Sequence, residues 1–490
     1  MSKALRCAVQ ISTAAIVPMI VSSAVWAGDV NYGVNYGQGG KTSLGGQDWR
    51  DTLPAAPDDA PATLMGLFDP ITKKAAANAI ANPAFPGSFL IPGTNTYLRI
   101  GGYVKLDFLG DTGRNPGDFI VWGAIPTRAD GVINNRTGDV RLHGRQSRFD
   151  IETRTATDWG DLKTYIEGDF FGDSGAASDR VTNPSTFAVR HAYGELGHFL
   201  AGQTWSLAMD LDSAPETLDF GGPAGFVFIR QASIRWTQPL APGLTVAASV
   251  ENPEGDFLGR AGNNAIPDVD LGGAPAFANR NLSPNVQNKV PDFVQRVSYR
   301  QSFGEISAYA VEREVTADTG TFSTTPGLTR QLANASAFGW QAGIAGVLNT
   351  IGKDNFRFEF NYGQGGARYI NNFGGQSWAW NGAGIIEPQT VYGGYLYYQH
   401  WWTSMLRTNI GAGAVHAIND VNIIGPIVTA LQSAVPQNPT RDAVGGHVNL
   451  IWSPVPNTNF GIEYANGYRV EESGDKGRIS RFQFSVQYLF

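Results

Sequence analysis

From residue 96 to the C-terminus the chain consists of short segments in which apolar and polar residues alternate, separated by Gly, Pro, Asn and Asp. Asn355–Tyr362 is the clearest: Phe356, Phe358, Phe360 and Tyr362 share one parity, and Asn355, Arg357, Glu359 and Asn361 the other. A period of two places such sets on opposite faces of a strand. A soluble sandwich does not usually turn charged pairs toward its core, so the apolar face is expected to meet hydrocarbon. The device recurs. Leu98, Ile100, Val104, Leu106 and Phe108 oppose Arg99, Tyr103, Lys105 and Asp107, and Leu162, Ile166 and Phe170 oppose Lys163, Glu167 and Asp169. Ile234 and Trp236 oppose Ser233, Arg235 and Thr237, and Phe460, Ile462 and Tyr464 oppose Asn459 and Glu463. In Arg141–Glu152 the parity slips between Arg145 and Phe149, which points to a bulge or to an outer face covered by protein.

Candidate strands start near residues 97, 140, 161, 186, 199, 226, 244, 292, 303, 337, 355, 389, 403, 445, 458 and 479. That is sixteen, an even number, as expected of a single-chain bacterial barrel. The connections alternate long and short, beginning with a long one at 109–138 and ending with one at 467–477. Short periplasmic turns and long outer loops give this rhythm. It places both chain ends in the periplasm. The predicted fold is all-β: a 16-stranded antiparallel transmembrane β-barrel with an N-terminal periplasmic extension.

The last strand sharpens the picture. In Arg481–Phe490, Phe482, Phe484, Val486, Tyr488 and Phe490 share one face, and Arg481, Gln483, Ser485 and Gln487 the other. In a soluble protein such an apolar edge would invite aggregation, whereas closure into a barrel removes it. The terminal aromatic Phe490 has the form of an assembly signal for barrel-insertion machinery. At the other end, Lys3 and Arg6 precede an apolar run from Ala8 to Val21, and Val25-Trp26-Ala27 supplies small residues for cleavage after Ala27. Residues 1–27 read as a secretory signal peptide. Residues 28–95 read as a Gly/Pro-rich periplasmic extension and residues 96–490 as the barrel. No other stretch approaches the roughly 18 apolar residues of a helical span. The expected location is the bacterial outer membrane, crossed many times by strands and bordered by outer-membrane lipid and lipopolysaccharide.

Composition narrows the function. The formal net charge is -7, and removing Lys3 and Arg6 with the signal makes it -9 (-7 - 2). A nucleic-acid partner, which demands a basic surface, is not expected. Cys7 is the only cysteine and lies in the signal, so the mature chain has no disulfide and no thiol nucleophile. The six histidines, His143, His191, His198, His400, His416 and His447, fall in no metal-ligand spacing or hydrolase motif. Neither an enzyme, a metal nor a cofactor is expected. The 36 basic residues divide into 27 Arg and 9 Lys. Arg is the residue whose rigid fork suits carboxylates.

At Arg145–Phe149 (RQSRF), Tyr165–Gly172 (YIEGDFFG), Arg190–Glu195 (RHAYGE), Ala201–Trp205 (AGQTW) and Pro215–Phe220 (PETLDF), the chain resembles the DcaP-like trimeric outer-membrane porins, and Gly221–Pro223 and Phe228–Arg235 continue the match. The resemblance is dense from about residue 96 to 252 and looser beyond. It implies a homotrimer of barrels that pass small anionic solutes, dicarboxylates and aromatic dicarboxylates among them. It also implies that Arg145, Arg148, Arg190, Arg230 and Arg235 belong to a pore-lining basic set. Some members carry an N-terminal coiled coil, and residues 28–95 here lack heptads.

Sixteen strands enclose an aqueous channel, so size alone favours transport. Strand parity turns Arg99, Lys105, Arg235, Arg357 and Arg481 toward the lumen, with Arg407 beside them. They share it with Asp107, Lys163, Glu167, Asp169, Glu251, Glu359 and Glu463, so the parity alone gives a mixed lumen. Asp130, Asp179, Asp268 and Asp270 fall in outer loops, where they bear little on the narrowest ring that sets selectivity. The loop near Asp210–Gly225 is expected to fold inward and narrow the pore, with Asp210, Asp212, Glu216 and Asp219 anchoring it to wall arginines. The expected function is passive diffusion of small organic anions. A non-selective or cation-preferring diffusion porin and a structural or adhesive barrel are the alternatives, separated by ion selectivity and by solute flux.

Overall fold

In hydrocarbon every backbone N–H and C=O must be satisfied within the protein, so amphipathic strands have to close on themselves. The computed structural model describes residues 85–127, 137–172, 186–254, 257–258, 285–318, 334–370, 377–380, 386–419 and 440–490. The expected signal peptide and most of the expected N-terminal extension lie outside them, as do Asp130, Asp179, Asp268 and Asp270.

Among the described residues, sixteen spanning strands form the barrel. They are β1 (Thr96–Arg114), β2 (Thr137–His143 continued by Arg148–Thr157), β3 (Gly160–Gly172), β4 (Thr186–Leu196), β5 (Phe199–Trp205), β6 (Arg230–Ala241), β7 (Leu244–Glu251) and β8 (Asp292–Gln301). The rest are β9 (Gly304–Asp318), β10 (Asn334–Asn349), β11 (Asn355–Gln364), β12 (Thr390–Trp401), β13 (Leu406–Ile418), β14 (Thr440–Trp452), β15 (Thr458–Glu471) and β16 (Lys476–Leu489). Each pairs antiparallel with the next. Tyr103–Asp111 of β1 pairs with Leu489–Arg481 of β16 and closes the ring. Below that seam Phe89–Leu90 pairs with Leu98–Tyr97, and the Phe490 N–H donates to the Gly102 carbonyl at 3.0 Å.

The alternation sorts the wall as the sequence implies. Phe356, Phe360 and Tyr362 are exposed on the outer face, while Arg357, Glu359 and Asn361 are buried in the lumen. Likewise Phe482, Phe484 and Tyr488 point outward and Arg481, Gln483 and Ser485 inward.

Two bulges change the parity where the lumen is most charged. Tyr103 lies opposite Arg148 and Asp107 opposite His143, so β2 takes five steps while β1 takes four. The extra residue falls in Gly144–Ser147, the place where the sequence alternation slips. His143 before it and Arg148, Asp150 and Glu152 after it therefore all face inward. This slip is a bulge; an outer face covered by protein is not needed to explain it. Between β3 and β4, Glu167 lies opposite His191 and Gly168 opposite Val189. Arg190 is the additional residue, and it joins His191 on the lumen side.

Three sequence-based boundaries need correction. β6 starts at Arg230, not near 226, because Phe226, Val227 and Phe228 are buried inside the barrel as part of the preceding loop. The connection expected at 467–477 is only residues 472–475, since β15 and β16 pair as far as Val470 and Lys476. The first connection does not all lie outside: residues 119–125 turn into the lumen, where Ile120, Trp122 and Ile125 are fully buried.

Deleting Phe490 removes the terminal outward aromatic and its backbone bond to Gly102. The expected outcome is a reduced folded, heat-modifiable band in outer-membrane fractions. Full assembly of the deletion would remove the terminal residue from the assembly signal.

Candidate pore constriction

Residues 206–229, between β5 and β6, run through the barrel interior. Leu207, Met209, Leu211, Ala214, Phe220, Ala224, Phe226 and Phe228 on this loop are all buried, a composition that would not stay in an outer loop. The wall opposite is cut back to receive it. A Cβ on Gly461 would come within 2.7 Å of Leu218, and one on Gly413 within 2.1 Å of the Ala224 carbonyl. A Cβ on Gly445 would meet the Trp122 ring of the first inward connection at 1.9 Å. Trp122 in turn donates from Nε1 to the Gly222 carbonyl at 2.8 Å, tying the two inward segments together.

The loop is held mainly by charge. Arg407 grips Glu216 with two bonds, Nε to Oε2 at 2.7 Å and Nη2 to Oε1 at 2.5 Å, and both side chains are almost wholly buried. Arg296 binds Asp210 and also donates to the Met209 carbonyl at 2.6 Å. Arg300 binds Asp212. Arg357 donates to the carbonyls of Asp212 and Ala214 at 2.9 and 2.6 Å. Lys105 donates to the Leu218 carbonyl at 2.9 Å. Arg481 holds Asp111 at 2.8 Å through each of two nitrogens and stands 3.5 Å from Asp219. Wall carboxylates take the loop's amides: Glu463 accepts from Leu218 and Asp219 at 2.8 and 2.9 Å, and Glu251 from Leu207 at 2.8 Å. Charge-assisted bonds of this kind contribute about 1.5–3 kcal/mol each.

Asp210, Asp212 and Glu305 bring carboxylate oxygens within 4.8 Å of one another. The charge of that group is met by Arg296 and Arg300.

The basic residues named from the sequence thus fall into three groups. Lys105, Arg357, Arg407 and Arg481 are engaged in seating the two inward segments. Arg99 and Arg235 bond to the wall itself, Arg99 near the periplasmic end to Glu152 at 2.7 Å and Arg235 to the Trp205 carbonyl of β5. Arg145, Arg148, Arg190 and Arg230 come together on β2, β4 and β6. Arg148 bridges Glu167 and Asp169 at 2.8 and 2.6 Å, and Arg190 shares Asp169 at 2.8 Å. Arg145 binds Asp118 of the first inward connection at 2.5 Å, where Arg141 joins it at 2.9 Å. Burial would raise the Asp118 carboxyl, but hydrogen bonds from Arg145 and Arg141 outweigh it and hold it below the ordinary range. Arg230 takes part in no ion pair among the described residues. Its guanidinium lies 3.3 Å above the Trp205 ring, 5.5 Å from that of Phe228, and its Nε reaches His191 Nε2 at 3.3 Å. Phe220, from the tip of the loop, packs against Phe171 at 4.6 Å and under Arg190 at 5.4 Å. Of this cluster Arg190 and Arg230 retain access to lumen water.

Arg296 was absent from the sequence-based set although its parity is plain, with Phe293 and Val297 outward and Val294 and Arg296 inward. Asp118 and Trp122 carried no signal, because their connection has no strand period to reveal a face.

A family model described as Porin subfamily matches residues 82–484. The chain belongs to the Porin subfamily. Its fold is therefore that of an outer-membrane channel. Among solved structures, the outer membrane channel DcaP of Acinetobacter baumannii is 17% identical with a TM-score of 0.64, over 82% of this porin and 100% of that chain. An anion-selective porin from Comamonas acidovorans is 11% identical with a TM-score of 0.49, over 81% of this porin and 100% of that chain. The trimer form of OmpT from Vibrio cholerae is 10% identical with a TM-score of 0.46, over 81% and 99% of the two chains. No curated protein sequence matches this porin.

Removing one partner of a buried charge pair costs about 3–5 kcal/mol, mostly because the other charge is left alone. Glu216→Ala should therefore loosen the loop in this porin. The expected result is a lower unfolding temperature in detergent and a larger, noisier single-channel conductance. Unchanged conductance would mean that Glu216 does not hold the aperture.

Proposed function

We propose that this porin lets small organic anions, dicarboxylates among them, diffuse across the outer membrane. One observation carries the reading. Arg148, Arg190 and Arg230 supply three positive charges against two from Glu167 and Asp169, a net of +1 with His191 neutral (3 - 2), and Arg230 stands outside every ion pair among the described residues. Meanwhile the loop acids Asp210, Asp212, Glu216 and Asp219 are turned onto wall arginines, so they add little negative field to the passage. A guanidinium fork suits a carboxylate, and neighbouring forks suit two. The shared partners Glu167 and Asp169 keep the site weak enough for release. The outward apolar face is covered by lipid and lipopolysaccharide. Assembly as a homotrimer belongs to the same reading and rests on the resemblance to DcaP-like porins.

Planar-bilayer reversal potentials in a KCl gradient test the selectivity. The unmodified channel should favour anions. Arg190→Gln and Arg230→Gln should each move the potential toward cations, with Arg145→Gln moving it less. They should also slow succinate about tenfold relative to a neutral sugar, the equivalent of about 1.4 kcal/mol. Cation preference in the unmodified channel would overturn the reading in favour of a general diffusion porin. Trimer assembly is checked by native mass measurement of the detergent-extracted protein, where a single subunit would sink it.

A further inference from the structure

We propose a second anion subsite in the periplasmic half of the lumen, built on Arg154 and held in place by Phe85; it rests on the anion-porin reading above. Arg154 lies on β2 six residues beyond Arg148 and on the same face, about 20 Å further along at roughly 3.3 Å per residue. Its Nε donates to Glu152 Oε1 at 2.8 Å. Among the described residues its guanidinium makes no other hydrogen bond, and the side chain keeps 27% of its exposure. The two Nη nitrogens are left as donors, the arrangement that takes a carboxylate at two points.

The pre-barrel segment fixes this fork. Phe85, 2% exposed, has its ring 4.4 Å from the Arg154 guanidinium and 5.2 Å from that of Arg99. The ring is itself held, since Ser88 donates from both N and Oγ to the Phe85 carbonyl and Phe89–Leu90 is paired to β1. A cation on an aromatic face is stabilised and its plane is set, more so when water is excluded. Lys163 is the register partner of Arg154 on β3, with Nζ 3.1 Å from Glu195. Three bases, Arg99, Arg154 and Lys163, stand against three acids, Asp150, Glu152 and Glu195, so the local charge is balanced (3 - 3 = 0). Attraction there comes from an oriented fork, not from net charge, and it is weaker than at the constriction. A weaker second station below a stronger one suits a solute that must leave toward the periplasm. Phe85 is a positioning residue: it acts through Arg154.

The test uses the full-length protein in planar bilayers, with succinate supplied from the periplasmic side and, separately, from the outer side. Arg154→Gln should raise the half-saturation concentration from the periplasmic side about three- to tenfold, the effect of one charge-assisted bond in a partly exposed site. From the outer side the change should be small, and the KCl reversal potential should stay anionic. Arg154→Lys, which keeps the charge and loses the fork, should fall between. Phe85→Ala, with Arg154 intact, should shift the periplasmic-side value in the same direction. Folding of each variant is read from heat-modifiable migration. If Arg154→Gln folds and matches the unmodified channel from the periplasmic side, the subsite is wrong while the anion porin stands. If Phe85→Ala alone leaves the value unmoved, its positioning role is wrong. An unmodified channel that prefers cations overturns both the function and the subsite.

Discussion

The structure depends on one constraint: a backbone inside hydrocarbon has no water to bond to. Sixteen strands satisfy it by pairing edge to edge until β16 meets β1. With the backbone closed, the side chains inherit a fixed choice of face, and the choice alternates. Most of the large apolar side chains go to the lipid, and the charged and amide side chains go to the lumen. The lumen then faces the opposite difficulty. It holds more charge than a protein interior tolerates unpaired, and two inward segments supply much of the compensation. With the apolar loop in place, Arg407, Arg296 and Arg357 lose channel water and take Glu216, Asp210 and the loop carbonyls instead. The loop, for its part, could not bring eight apolar side chains and its own amides into the barrel without Glu463 and Glu251 to receive them.

The fold was legible in the sequence because a period of two is a direct consequence of strand geometry and barely depends on context. Asn355–Tyr362 and Arg481–Phe490 could be assigned face by face. The errors fell where the period is interrupted or absent. The run from Phe226 to Ile229 is apolar enough to pass for a strand start, yet it serves the interior of the barrel. The β15–β16 connection comes out shorter because Asn466-Gly467, a turn-forming pair in sequence, is paired with Ser480 and Ile479 inside the strand.

The site was legible in part. That the loop acids would meet wall arginines followed from charge alone, but which arginine meets which acid did not, since Glu216 and Arg407 are 191 positions apart. Two one-residue bulges decide which basic residues gather, and one residue is below what alternation can resolve. The β2 bulge was visible as a slip near Arg145. The one at Arg190 left no trace, because RHAYGE reads equally well in either register. Arg154 and Phe85 were overlooked for another reason: their meeting joins a barrel strand to the segment before the barrel, which has no period of its own.

The seating of the loop also imposes an order in time. Residues 206–229 precede in the chain most of the strands that hold them. Lys105 on β1 precedes the loop, but its other wall partners follow it, on β7 to β9 and β11 to β16, and the latest, Arg481 and Gln483, are within ten residues of the chain end. A barrel missing its final strands would lack the bonds from Glu463, Arg481 and Gln483 to Leu218 and Asp219. The loop is therefore fully seated only when the last strand has zipped to the first, so closing the ring and seating the loop are one event.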